Sequence, residues 1–256
     1  LFPYTTLFRS KQTGLKVAAN KAVVGKNAFG HGAGIHQDGM KKDTSTYEIV
    51  SADAVGMKSS MHLSVHIGRA GLQDHYGSIG ISFDKDEGFD EVANRFYDIA
   101  HSVEEVDHAD LVRALRGGEE VPVDYNFVDY TPIKTEGGRA KGVFVEMTVN
   151  HEYRKVYAEG NGPINAGVNA IKEIAGHNYV LLSHYDAGSE AQGSDAPAVT
   201  KLDVTKNGWS VKGRCEHTDT IESALRAFTD GCNRIKYMED HFRGYDYMRD
   251  SSSKAR

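Results

Sequence analysis

The segment Tyr153-Arg-Lys-Val-Tyr-Ala-Glu-Gly-Asn-Gly-Pro-Ile-Asn-Ala-Gly-Val-Asn-Ala-Ile-Lys-Glu-Ile174 changes character half-way along. Its first part, Tyr153–Ala158, is rich in aromatic and β-branched residues, as strands are. Its last part sets Ile164, Val168, Ile171 and Ile174 on one face of a helix. Between them, Gly160-Asn-Gly162-Pro163 opens that helix, and proline suits the first turn because its missing N–H has no intrahelical partner there. Two more strand-like runs, Tyr125–Thr135 and Gly142–Val149, precede this segment. The same order then recurs. Runs at Tyr179–Ala187, Ala198–Val204 and Trp209–Gly213 lead to a helix carrying Ile221, Leu225, Phe228, Cys232 and Ile235. Two βββα repeats of roughly 50 residues predict a pseudo-symmetric α+β domain. Its sheets are expected to bury against each other or against the same domain of a second subunit.

Upstream the periodicity is helical. Phe89, Val92, Ala93, Phe96 and Ile99 share one face. Asp107 is placed to cap a short helix bearing Leu111, Val112 and Leu115, which Gly117-Gly118 ends. Glu119-Glu-Val-Pro-Val-Asp124 reads as a linker, because proline and paired acids break both periodicities.

At 256 residues the chain holds one large or two modest domains. A net charge of −6 argues against a nucleic-acid partner, which requires a basic stripe. No apolar run reaches the ~18 residues a membrane span needs. Two cysteines, Cys215 and Cys232, are no disulfide framework, and a reducing cytoplasm is the expected setting. Residues 1–10, Leu1-Phe-Pro-Tyr-Thr-Thr-Leu-Phe-Arg-Ser10, resemble a translated sequencing adapter and are set aside from fold reasoning. The natural N-terminus is therefore expected to be missing, and the chain to be the tail of a longer protein.

Chemistry-bearing residues concentrate in Asn20-Lys-Ala-Val-Val-Gly-Lys-Asn-Ala-Phe-Gly-His-Gly-Ala-Gly-Ile-His-Gln-Asp-Gly-Met40. Imidazoles at His31 and His36 sit among glycines, with Gln37 and Asp38 following. Such a loop is costly to order unless it binds something, and histidine is suited to proton transfer near neutral pH. The alternative is a structural turn whose histidines bond to backbone carbonyls. It is not a phosphate-cradling loop, since the upstream glycine and the Ser/Thr after the lysine are lacking. Nor does the five-residue separation of the two histidines fit a single helical face for zinc.

Taken together, Asn20–Gly25, Ala28-Phe-Gly-His31, Gly34-Ile-His-Gln-Asp-Gly39, Thr46-Tyr-Glu-Ile49, Gly68-Arg69-Ala70, Glu159–Ala166 and Gly213-Arg214 with Thr218-Asp219 resemble the C-terminal half of the α-isopropylmalate synthase family. The resemblance spans Leu15 to about Tyr237. It implies an acyltransferase of leucine biosynthesis that condenses acetyl-CoA with 2-oxoisovalerate and is inhibited by leucine. It also implies a homodimer, and a divalent metal (Mg, Mn or Zn) held by an N-terminal (β/α)8 barrel that precedes this chain, so no metal ligand is assigned here. The implied organisation is an artefactual segment 1–10, a His-bearing subdomain 11–60, a helical subdomain 61–120, a leucine-binding regulatory and dimerisation domain 121–238, and a flexible tail 239–256.

Residue roles follow from the resemblance. His36 is the implied catalytic helper, reaching the barrel of the other subunit, with Gln37 and Asp38 orienting it; His31 is structural. Arg69, opening a helix, meets a carboxylate or a CoA phosphate, or else forms a surface ion pair. Leucine is expected at Gly160, Gly162, Pro163 and Ala166, its carboxylate near the helix start, with Thr218 and Asp219 receiving its amino group. Ordinary helix capping would equally place Asn, Pro, Thr and Asp at these turns. Two other readings stay open: citramalate synthase, using pyruvate and sensing isoleucine, and a non-catalytic amino-acid-binding module. The fragment alone is expected to catalyse nothing.

Overall fold

The computed structural model describes residues 8, 12–14, 17–18, 20–25, 27–32, 36, 39–40, 42–43, 46–48, 50–61, 63–83, 88–134, 140–176, 181–189, 196–206 and 209–241, with backbone alone at 60–61, 134, 140–141 and 181–189. The chain divides into two compact units, Leu1–Val106 and Asp107–Arg256.

In the first unit a short parallel pair joins β1 (Gly30–His31) to β2 (Ser60–Met61). Two helices follow, α1 (Arg69–Ser78) and α2 (Phe89–Ser102). The apolar stripe of α2 is the one its periodicity predicts: Phe89, Val92, Ala93, Phe96 and Ile99 are buried. Tyr97, on the same helix, donates its hydroxyl to the Ile67 carbonyl at 3.1 Å, which ties α2 to the turn before α1.

The second unit begins with α3 (His108–Leu115), capped as expected by Asp107. Asp107 Oδ1 accepts the N–H of Ala109 at 2.8 Å and of Asp110 at 3.3 Å, while Asp110 Oδ2 accepts the Asp107 N–H at 3.0 Å. This reciprocal box satisfies amides that the helix itself leaves without partners. Six strands and two helices follow: β3 (Tyr125–Lys134), β4 (Ala140–Val149), β5 (Glu152–Glu159), α4 (Pro163–Ala175), β6 (Leu181–Ser189), β7 (Ala198–Lys206), β8 (Trp209–His217) and α5 (Thr220–His241). The strands form two separate antiparallel sheets, β3-β4-β5 and β6-β7-β8. The fold is therefore α+β with a duplicated βββα order.

The duplication extends to register. Each first strand is bulged near its start, between Phe127 and Asp129 in β3 and between Leu182 and His184 in β6. Beyond the bulge, Tyr130 pairs with Val145 and Tyr185 with Leu202, so the two tyrosines hold equivalent positions. The helix α4 packs on β4 and β5, whereas α5 packs on β7 and β8 and also on β3 of the other repeat. Buried faces of α4 (Ala166, Val168, Ala170, Ile171, Ile174) and α5 (Leu225, Phe228, Cys232, Ile235) complete the core with Val143, Val145, Met147, Val204 and Val211. Each fully buried Ile, Leu or Phe contributes about 1.5–3 kcal/mol of transfer free energy.

Close approach of α5 to α4 and to β8 depends on missing side chains. A Cβ at Gly167 would lie 2.5 Å from Leu225 Cδ2, and one at Gly213 would be driven into the Ala227 carbonyl. Gly167 and Leu225 lie four and five residues into their helices. At 1.5 Å per residue both helix starts therefore fall within roughly two turns of this shared contact.

Two features differ from the sequence reading. The helix α3, grouped there with the preceding helices, packs against α5 and β8 and belongs to the second unit. The cause is a buried ionic cluster: Asp107 Oδ2 accepts the Lys212 N–H at 2.7 Å and Arg234 Nε at 2.9 Å, and Asp110 Oδ1 accepts Arg113 at 3.0 Å and Arg234 at 3.1 Å. Burial pulls the Arg234 guanidinium down, but Asp107 and Asp110 outweigh it and hold the group above its ordinary value. The second difference concerns the tail, expected to begin after Met238. Helix α5 continues to His241, with Glu239 paired to Lys206 and Asp240 to Lys236; residues 242–256 lie outside the described ones.

Asn233 joins the two repeats. Its Oδ1 accepts the Tyr125 N–H at 2.8 Å and its Nδ2 donates to the Tyr125 carbonyl at 2.9 Å, both bonds buried. Asn233→Ala leaves two buried backbone groups unsatisfied and is expected to cost about 2–4 kcal/mol in denaturant unfolding. Asn233→Asp keeps the acceptor, loses the donor, and should be no better tolerated at neutral pH.

Candidate functional site

The two late helices begin differently. At α5, Asp219 stands just before Thr220 and its Oδ1 accepts the N–H of Ile221 at 2.7 Å and of Glu222 at 2.9 Å. Its own N–H donates to His217 Nδ1 at 3.1 Å. Its Oδ2 accepts the Tyr130 hydroxyl at 2.8 Å, a partner supplied by β3 of the other repeat. Burial opposes ionisation of Asp219, but the Glu222 amide, the Tyr130 hydroxyl and the Ile221 amide outweigh it and hold the carboxyl below its usual range. Burial, and then the bond to Asp219, push the Tyr130 phenol well above its ordinary value. Three residues beyond Asp219, Glu222 is bound by Arg226 at 2.7 Å, and the Arg226 guanidinium lies 5.0 Å from the centre of the Phe127 ring.

At α4 the cap position is Gly162, in extended backbone, with no side-chain cap. The first helical bond runs from the Ala166 N–H to the Gly162 carbonyl at 2.9 Å. The amides of Ile164 and Asn165 precede that bond, and Pro163 has none, so the helix opens with donors that no side chain caps. Asn165 instead folds back, its Oδ1 accepting the Asn161 N–H at 3.1 Å, while Asn169 Nδ2 donates to the Glu159 carbonyl at 3.0 Å. Gly160 is packed beneath this turn: a Cβ there would lie 2.5 Å from Ala166 N and 2.6 Å from Asn165 Oδ1. Ala166 is buried at 1% exposure and Ile164 is half-buried. An uncapped first turn with positive end-charge favours an anion. A capped one, with a fixed carboxylate, favours a cation.

In the first unit His36 is exposed, its ring 4.4 Å from that of Tyr47 and tilted by 42°. Gln37 and Asp38, expected to orient it, lie outside the described residues. His31 is buried, with Nε2 3.1 Å from Glu48 Oε1, and Glu48 also accepts the Ser59 hydroxyl. Burial resists the Glu48 charge, but Ser59 and His31 outweigh it and lower its pKa. That geometry is structural. Arg69 pairs with Asp90, and its guanidinium lies 4.9 Å from the centre of the Phe89 ring, so part of its binding capacity is engaged within the chain. Among the described residues no group of three or more His, Cys, Asp or Glu side chains converges as a metal site. No helix among them is long and apolar enough to cross a membrane.

Sequence reasoning missed Tyr130 and Asn233, because each acts on a partner about a hundred positions away. Tyr47 and Glu48 lie inside the quoted Thr46–Ile49 motif, which signalled the place but not the contacts.

Residues 103–236 match the LeuA allosteric (dimerisation) domain, and residues 23–104 match the homocitrate synthase post-HMGL domain-like family. The chain belongs to the LeuA allosteric (dimerisation) domain family. Its relatives include the 2-isopropylmalate synthase of Rhodopirellula baltica, 34% identical over 232 residues, covering 88% of this chain and 43% of that protein. The Nitrosococcus oceani 2-isopropylmalate synthase is 32% identical over 227 residues, covering 88% and 44%. The same-named protein of Campylobacter concisus is 33% identical over 245 residues, covering 94% and 47%. The chain thus spans less than half the length of these relatives. In the allosteric domain, both helix starts described above fall within the matched region.

Asp219→Ala removes the cap and is expected to cost about 1 kcal/mol of stability, while Asp219→Asn, an equally good cap, should cost much less. Because the folded-state pKa of Asp219 is depressed, its stabilisation is full above the ordinary carboxylate value of about 4 and disappears as pH falls through the lowered value. The wild-type advantage over Asp219→Ala in thermal unfolding should shrink across that acidic window and stay constant above it.

Proposed function

We propose that this chain is the end-product-sensing part of a 2-isopropylmalate synthase, a leucine-inhibited acyltransferase working as a cytoplasmic homodimer. The whole enzyme joins the methyl carbon of acetyl-CoA to the keto carbon of 2-oxoisovalerate and then hydrolyses the thioester, giving 2-isopropylmalate and free CoA. A divalent metal, with ligands outside this chain, supplies carbonyl polarisation. The observation that carries the reading is the contrast between the helix starts in the family-matched region, one an uncapped cluster of N–H donors and the other a fixed carboxylate.

Leucine is zwitterionic, and the two starts suit its two charges. Its carboxylate takes the amides at the opening of α4, above Gly160, Gly162 and Pro163. Its ammonium group takes Asp219 beside Thr218, and its isobutyl group packs against Ile164 and Ala166. Feedback then follows if leucine prefers one subunit arrangement over another. In the first unit His36, exposed and stacked near Tyr47, extends into the other subunit to move a proton or organise water, with Gln37 and Asp38 beside it. Arg69 meets acyl-CoA or substrate carboxylate when it exchanges partners with Asp90. Regions 11–60 and 61–106 serve as His-bearing and helical segments, and the regulatory segment begins at Asp107 with α3 and runs to residue 238. The chain on its own is inactive in condensation.

Calorimetry with leucine, isoleucine and valine tests the assignment. Leucine should bind in preference to the other two, and Gly160→Ala should reduce its affinity more than tenfold by displacing the α4 turn. Preference for isoleucine would indicate a citramalate synthase. In the full-length enzyme His36→Ala should lower turnover by about 10²-fold or more with little change in KM, within the range for a lost general acid–base; unchanged kcat would make His36 a scaffold residue.

A further inference from the structure

We infer that Tyr130 is a positioning residue for the effector's ammonium group, acting through Asp219; this rests on the leucine-sensing reading above. A carboxylate offers about four lone-pair sites. At Asp219 two are taken on Oδ1 by the amides of Ile221 and Glu222, and one on Oδ2 by the Tyr130 hydroxyl. One is left, on an exposed residue. Among the described residues no Lys or Arg side chain pairs with Asp219, whereas neighbouring Glu222 is spent on Arg226. The turn therefore presents a net negative charge with a single open acceptor site. A primary ammonium group fits that site, since charge-assisted N–H···O bonds are about twice as strong as neutral ones.

What fixes the open site is Tyr130. A cap bond alone holds Oδ1 and lets Oδ2 follow the rotation of the carboxylate. The phenol arrives from β3, 89 residues away, and β3 is itself fastened to α5. Asn233 bonds both backbone groups of Tyr125, and Arg226 donates to the Phe127 carbonyl at 3.3 Å. The hydroxyl thus has a fixed origin on the opposite repeat, and the bond sets the plane of the carboxylate. Removing it leaves the cap and the charge but frees Oδ2.

The test compares leucine with 2-hydroxy-4-methylpentanoate, which keeps the carboxylate and isobutyl group but replaces the ammonium by a hydroxyl. Calorimetry on the 256-residue chain and its Tyr130→Phe variant measures both. The variant should bind leucine about fivefold to tenfold more weakly, the equivalent of one hydrogen bond, and the hydroxy acid within twofold of wild type. Asp219→Asn, which keeps the cap and removes the charge, should show the same selective loss. Equal weakening for both ligands would make Tyr130 merely structural, and unchanged leucine affinity would overturn its role outright. A wild-type chain that binds neither ligand would sink the effector reading itself, a result visible before any variant is made.

Discussion

The carboxamide of Asn233 substitutes for a missing strand. It gives Tyr125 both the acceptor and the donor that an adjacent β-strand would supply, from the side of a helix belonging to the other repeat. Each sheet has only three strands, near the lower limit for independent stability, so the apolar face that each buries against a helix matters. The helix α5 serves both sheets, covering β7 and β8 while holding the edge of β3. The second repeat therefore cannot be withdrawn without exposing the first.

The same arrangement sets two differently finished helix starts at the ends of the α4–α5 contact. The core is close-packed along the α4–α5 contact, where Leu225 sits on Gly167, and the ionic cluster of Asp107, Asp110, Arg113 and Arg234 fixes α3 onto the far part of α5. The turns before Pro163 and Thr220 carry opposite electrostatic character, the uncapped amides against the capped carboxylate. The tyrosine reaching Asp219 from β3 means that the first repeat contributes to the polar environment of the second.

The two histidines of the first unit follow a different logic. His31 and His36 lie five residues apart in a glycine-rich segment, but their surroundings separate them. Glu48 and Ser59 close over His31 in a buried, hydrogen-bonded set, which gives that imidazole a scaffold role. His36 stays exposed beside Tyr47.

Much of this was legible beforehand. The helical stripes of α2, α4 and α5 follow from apolar spacing, the α3 cap from Asp107 alone, and the repeated strand order from clustering of aromatic and β-branched residues. These are local properties, set by steric preference and solvent contrast within a few residues. What only the tertiary structure decided is non-local: that α3 packs with the second unit through Arg234, that Asn233 holds Tyr125, and that Tyr130 closes on Asp219. No periodicity encodes such pairings, because hydrogen bonds between groups about a hundred positions apart depend on where packing brings the backbone. The sequence by itself determined the elements and the likeness to a family; the packing of α5 across two sheets determined which side chains meet.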